Sequence, residues 1–361
     1  MDKLKHTVLL LFLFILTFGG LFFASPFLIP LVLAAVFSML FIRLCNFMER
    51  KGIGRNYAAF YCLLMFIGCI GIIITLLTFQ LGSMAENFDA MKERLSNMLE
   101  TFKNWINDTM GIEKATQDKM ISESSGENSG GMMLTFASDL ISILVNSVLL
   151  LVYMYLFLCY RSHIKKFILK LAPKKEGENT EEVIHEIGKV AQKYLSGLGA
   201  MIAILWVMYG IGFSVVGVEG AIFFAVLCGL LEIIPFVGNL TGTSITVLAT
   251  LGQGGDSKMV IGVLATYFLV QFIQTYILEP LIVGEQVNIN PLFTIMAIVL
   301  GEMVWGIAGM ILAVPLLGMI KIICDNYPIL QPYGFLIGPE NPRKKKTGVI
   351  DKLNQWFSKK P

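Results

Sequence analysis

Two glutamates stand where carboxylates are costly. Glu232 is the only charged residue between Gly220 and Gly254, and Glu302 the only one between Pro291 and Ile320. A carboxylate held in an apolar slab costs about 2.5–3.5 kcal/mol, so it needs a proton, a partner, a cation or a water path. Each lies just before a predicted break, 234–239 and 305–309, where freed backbone groups and water can reach it. The chemistry this allows is binding of a proton, a cation or a solute hydroxyl; the alternative is a structural, hydrogen-bonded carboxylate. Asn239 and Thr241 follow the first break, and Gln271, Gln274 and Thr275 fall within one helical turn. These side chains suit a polar path, and equally suit interhelical hydrogen bonds. Substrate or ion binding is therefore assigned to Glu232, Asn239, Thr241, Gln271, Gln274 and Glu302. Glu279 and Glu285, flanking Pro280 and Gly284, mark an interfacial loop.

Other chemistry finds no footing. No Ser/His/Asp or Cys/His arrangement and no metal-ligand spacing is present, so neither catalysis, metal nor cofactor is expected. The six cysteines sit in or beside apolar stretches and read as small hydrophobes. No GxxxxGK[ST] loop occurs, and the net charge of +2 gives no bulk field for nucleic acid.

The elements that must position these residues are membrane helices. Of 361 residues, 55% are hydrophobic and 15% charged, and the mean hydropathy is +0.71. A soluble globule carries about 25% charged residues, so the fold class is an all-α polytopic membrane protein. About eight hydrophobic segments are expected. Thr7–Ile42 is uncharged, with basic residues on both flanks, and reads as an uncleaved hairpin turning near Pro26–Pro30. Tyr57–Leu81, Leu140–Tyr160, Leu195–Val218 and Met259–Leu278 are plain spans. The segments holding Glu232 and Glu302 exceed the ~20 residues of one crossing. They are broken helices or re-entrant hairpins, with Pro235, Gly238, Pro280, Gly284, Gly306, Gly309 and Pro315 as break or hinge positions. Charge bias cannot choose between these, because the loops Gly255–Lys258 and Glu279–Asn290 contain a single lysine between them.

The remaining segments are polar. Met84, Phe88, Met91, Leu95, Met98, Phe102 and Trp105 alternate steps of four and three, which predicts an extracytoplasmic amphipathic helix with one narrow apolar seam. The seam packs on the protein's own surface or the headgroup layer, or joins copies in a homo-oligomer. Arg161–Lys175 predicts a basic amphipathic surface helix, and Arg343–Lys346 a basic tail; anionic lipid headgroups suit both. Asn179, with Glu182 three residues on, predicts a helix cap. The division is 1–82 (N-terminal hairpin and third span), 83–135 (extracytoplasmic), 136–160 (fourth span), 161–194 (basic connection), 195–325 (membrane core) and 326–361 (basic tail). Most Lys and Arg then fall on one side, so the protein is expected in the cytoplasmic membrane with both termini inside.

Three ordered motifs carry a family resemblance. Glu232-Ile-Ile-Pro235-Phe-Val-Gly238 resembles an "IPxVGP" segment of autoinducer-2 exporter-like transporters. Leu278-Glu279-Pro280-Leu-Ile-Val-Gly284, followed by Asn290-Pro291-Leu292, resembles "EPxIVGxxxxxxPL". Trp305-Gly306-Ile-Ala-Gly309-Met-Ile-Leu-Ala-Val-Pro315 resembles "FGxxGxxxAVP". Asn239 and Glu302 depart from the pattern, where proline and a small residue are common. The resemblance implies a multipass prokaryotic transporter, with members linked to autoinducer-2 export, sodium/proton exchange or sporulation. The leading expectation is a secondary transporter exporting a small polar metabolite or signal. The alternatives are a monovalent cation/proton antiporter and a non-transporting sporulation or envelope protein.

Overall fold

The computed structural model describes residues 2–85, 129–171, 177–235, 237–283 and 289–339, with a few helical positions between 93 and 104. Every regular element among the described residues is helical. These are α1 (Asp2–Phe23), α2 (Ser25–Arg50), α3 (Arg55–Ala85), α4 (Ser129–Leu171), α5 (Gly177–Val216), α6 (Ala221–Leu231), α7 (Val237–Gly252) and α8 (Ser257–Ile273). A π-helical segment (Gln274–Val283), α9 (Pro291–Asn326) and α10 (Gln331–Ile337) complete the order. Six helices are long and apolar enough to cross a membrane. Side chains such as Leu64, Ile72 and Phe79 on α3, Val207 and Ile211 on α5, and Phe268 and Leu269 on α8 are exposed. Lipid tails suit such a surface, because every backbone group beneath it bonds within its own helix. The chain is a multipass, all-α membrane protein.

α5 is the hub, packing against α2, α6, α8, α9 and the π segment. Leu205, Tyr209 and Phe213 of α5 bury against Phe224 of α6 and Val263 of α8. A second core joins α2, α3 and α4 through Ala34, Cys45, Ala58, Cys62, Met154 and Leu158. Arg161 closes its end, donating to Asn46 Oδ1 and the Leu158 carbonyl at 2.8 Å and pairing with Glu49 at 2.8 Å. Val36, Ala191, Leu312 and Met319 tie α2, α5 and α9 together.

Both long segments fold back on themselves, which decides between the two topologies left open by charge. In the first, α6 and α7 pair antiparallel. A methyl group at Gly238 would overlap the Leu231 carbonyl, one at Gly242 would lie 3.2 Å from Cys228 Cα, and Gln253 Nε2 donates to the Glu219 carbonyl at 3.1 Å. The contacts 231/238, 228/242 and 219/253 step outward from one turn. In the second, Trp305 (φ −132°, ψ 15°) and Gly306 (φ 58°, ψ −138°) leave helical geometry inside α9. Gly301 and Gly309 then face each other so closely that a methyl on either would meet the other's backbone.

Other expectations shift. The first turn lies at Ala24, not Pro26–Pro30. Its φ of −86° and ψ of 6° bend the chain, while i→i−4 bonds run through it (Ala24 N to Gly20 O, Leu28 N to Ala24 O). Pro26 instead opens α2, where a missing N–H costs nothing. The basic stretch from Arg161 to Leu171 continues α4 without a break, and Asn179 lies inside α5, so neither a separate surface helix nor a cap forms there. The capping residues are elsewhere: Asp256 accepts from Met259 N and Asn290 from Leu292 N, starting α8 and α9. Met84, the first seam residue of the expected amphipathic helix, falls in the last turn of α3; the other seam residues, Lys174, Lys175, Gly284, Glu285 and Arg343–Lys346 lie outside the described residues.

Candidate functional site

The 11 residues of α6 reach about 16 Å at 1.5 Å per residue, roughly half of a ~30 Å hydrocarbon core. The 16 residues of α7 reach about 24 Å, so the turn between the two limbs, Glu232–Pro235, lies inside the bundle, short of a full crossing. Pro235 has no N–H to continue α6, and its carbonyl accepts from Val237 N at 2.7 Å as α7 begins. Gly238 completes the turn, because only a residue without Cβ fits against the Leu231 carbonyl.

Glu232 projects from this tip toward α8. Its Oε1 accepts a hydrogen bond from Gln274 Nε2 at 2.6 Å, and Gln274 is only 1% exposed. Beside them, Asn239 Nδ2 donates to Gln271 Oε1, and Gln271 Nε2 reaches Thr275 Oγ1 at 3.5 Å. Four side-chain atoms in the protein are buried and unpartnered among the described residues. Three of them, Glu232 Oε2, Asn239 Oδ1 and Gln274 Oε1, belong to these two bonded pairs between the first hairpin and the α8–π element. Each such atom costs about 1–3 kcal/mol. Their concentration in one place marks a site whose acceptors are arranged for something other than stability.

The winding of the facing element contributes. The sequence reads Met259–Leu278 as one plain span, but α8 ends at Ile273 and a π helix runs from Gln274 to Val283. Pro280 supplies no N–H to an α ladder, and π winding, rare in itself, is frequently found at functional sites. The proline was the available signal for it. The change of pitch begins at the residue that holds Glu232.

Of the six candidate binding residues, the fold unites Glu232, Asn239, Gln271 and Gln274. Thr241 is exposed, and its hydroxyl bonds back to the Val237 carbonyl at 2.8 Å within α7. Glu302 is exposed on the first limb of α9, a hairpin packed on α1, α2, α5 and α10 instead of on α7. Among the hinge positions, Pro235 and Gly238 shape this tip and Pro280 lies in the π segment. Gly306 and Gly309 shape the second tip, and Pro315 is buried in the second limb of α9. Sequence reasoning did not find Trp305 as a tether; its indole N–H donates to the Leu21 carbonyl at 3.0 Å, tying the second tip to α1. It also missed Gln253, which closes the base of the first hairpin. Among the described residues, no group of three or more His, Cys, Asp or Glu is placed to hold a metal ion.

Residues 11–329 match the family model described as "AI-2E family transporter". "Putative transport protein YrrI" of Bacillus subtilis (strain 168) is 25% identical over 306 residues, 83% of this chain and 86% of that protein. "Putative permease PerM" of Escherichia coli (strain K12) is 24% identical over 338 residues, covering 90% and 94%. "Putative transport protein YhhT" of the same organism is 23% identical over 355 residues, covering 95% and 97%. The match takes in both hairpins, the π segment and the polar junction between α7 and α8, and the chain belongs to the AI-2E transporter family.

Proposed function

We propose that this protein is a secondary transporter that exports a small polar metabolite or signal across the cytoplasmic membrane, using the junction of Glu232, Asn239, Gln271 and Gln274 as its binding site. The observation that carries the reading is the half-buried carboxylate at the tip of a hairpin that stops short of a full crossing. Broken helices with polar groups at mid-depth are where membrane transporters hold their substrates. Glu232 and the three amides offer both donors and acceptors, which suits a hydroxyl-rich neutral solute such as a furanosyl signal.

The test is transport by purified protein reconstituted in liposomes, profiled against a panel of small polar metabolites with and without a proton gradient. Glu232→Gln is expected to lower flux by on the order of 10-fold or more, the loss that one hydrogen bond to a charged group represents. Its expression and elution profile should match the wild type. Unchanged flux in this variant rules out the assignment.

A second reading is monovalent cation/proton exchange, favoured by one feature: Glu232 brings a single carboxylate whose Oε2 is buried and unpartnered among the described residues. It requires a dye-detected pH change when Na⁺ is added to energised vesicles, and neutral-solute export requires none.

A further inference from the structure

A second site lies at the opposite end of α5 from the first hairpin. The ends of α2 and α4 and the first turns of α5 enclose an open cavity of about 700 Å³. Three of its cations, Arg43, Lys189 and Lys193, make no ion pair among the described residues. Two others are already engaged: Arg161 holds Asn46 and Glu49, and Lys165 pairs with Glu181 at 2.5 Å. No carboxylate lines the cavity among the described residues. Glu182 and Glu186 line a neighbouring recess that shares Lys189 and Lys193, without closing an ion pair to either. Three cations without an ion pair among the described residues thus face one space.

The geometry points to a binding site for an anionic phosphate ester. The free cations come from two helices, and donors from Ser162 on α4 and Gln192 on α5 line the same space. A tetrahedral phosphate presents three or more oxygens in several directions and can meet donors from three helices together, more readily than a planar carboxylate with two oxygens. The floor is apolar, formed by Met39, Ile42 and Ile184. A phosphate attached to an apolar body therefore fits better than a bare ion. Basic pockets between membrane helices hold lipid head groups by this combination. A phospholipid and a soluble phosphate ester share the chemistry, so the experiment separates them. The site stands apart from the Glu232 junction and does not depend on what is transported.

The test is native mass spectrometry of the full-length detergent-purified protein, titrated with phosphatidylglycerol or phosphatidylcholine, and with glycerol phosphate as the soluble competitor. Phosphatidylglycerol should be retained in preference to phosphatidylcholine, whose choline cation the cluster repels. Each basic residue near such a headgroup is worth about five-fold. R43Q/K189Q/K193Q should therefore weaken phosphatidylglycerol binding on the order of 100-fold. K193Q alone, at an exposed position with little bearing on folding, should weaken it about five-fold. K258Q, at an exposed position at the start of α8 away from the cavity, should leave it unchanged. Displacement of the lipid by millimolar glycerol phosphate assigns the site to soluble phosphate esters, and resistance to displacement assigns it to lipid. Equal retention by wild type and both cavity variants, or an equal loss in K258Q, overturns the site.

Discussion

Glu232 and Gln274 are 42 positions apart in sequence and 2.6 Å apart in the fold. A hydrogen bond to a charged group is worth about 1.5–3 kcal/mol, and removing one partner leaves the other buried and unpaired. Gln274→Leu keeps the side-chain size and removes the donor. It is expected to lower the unfolding temperature in detergent and to reduce transport, by about 10-fold if the carboxylate must be held in place. In the combined variant E232Q/Q274L the two losses should add up to less than their sum, because both act through one bond. Additive losses would show that the residues work independently. Glu232, Asn239, Gln271 and Gln274 could all be picked out from the sequence as polar residues in apolar segments. Their grouping could not, because hydrophobicity reports which residues are buried and not which buried residues meet. Thr241 and Glu302 passed the same filter, and the fold puts them on exposed surfaces.

At the level of elements, the two hairpins rest on different requirements of glycine. Gly238, Gly301 and Gly309 are needed for close approach, since each Cβ would run into backbone that cannot swing aside. Gly306 is different: nothing lies within 4 Å of its Cβ position, but its φ of 58° with ψ of −138° is a conformation L side chains avoid. Gly238→Ala and Gly309→Ala should each cost about 1–3 kcal/mol through overpacking. Gly306→Ala should cost about 1–3 kcal/mol through backbone strain alone. Gly19→Ala in α1, which meets no neighbour and keeps helical geometry, should be neutral or slightly stabilising. Thermal unfolding followed by tryptophan fluorescence ranks the four. If Gly238→Ala proves as benign as Gly19→Ala, the antiparallel pairing of α6 and α7 is wrong. The sequence showed that both segments must break, from Pro235 and from Trp305-Gly306. It could not show that the limbs then pack together, because that depends on contacts between residues such as Cys228 and Gly242.

Across the whole molecule, folded-back segments reset which ends share a side. The Gln253–Glu219 bond places both ends of the first hairpin together. Asn290 N donates to the Ile337 carbonyl at 2.8 Å, which brings the start of α9 beside α10 after its end. Ile322 of α9 lines a recess with Lys189 and Lys193 of α5, so α9 finishes at the basic end of the bundle. Single cysteines at Glu219 and Gln253, in a background lacking the native cysteines, should react with an impermeant maleimide from one side of the membrane. Cysteines at Asn290 and Tyr327 should react from the other. Labelling of Glu219 and Gln253 from opposite sides would instead mean that the first broken segment crosses once. α9 therefore ends on the side of the basic cavity, the side that charge bias leads one to expect in the cytoplasm.

Class and composition were decided by sequence alone. Lipid solvates apolar surface and leaves no backbone group unbonded, so 15% charge and long apolar runs admit only a bundle of helices. The positions of the breaks were also local, since proline and glycine act on their own backbone. Direction after a break was not. It turns on packing between residues far apart in the chain, and the loops that might have revealed it hold too few cations to report a side. The tertiary structure decided that both segments return, that α8 gives way to a π helix at Gln274, and that one of the two intramembrane glutamates, Glu232, is the one held among amides.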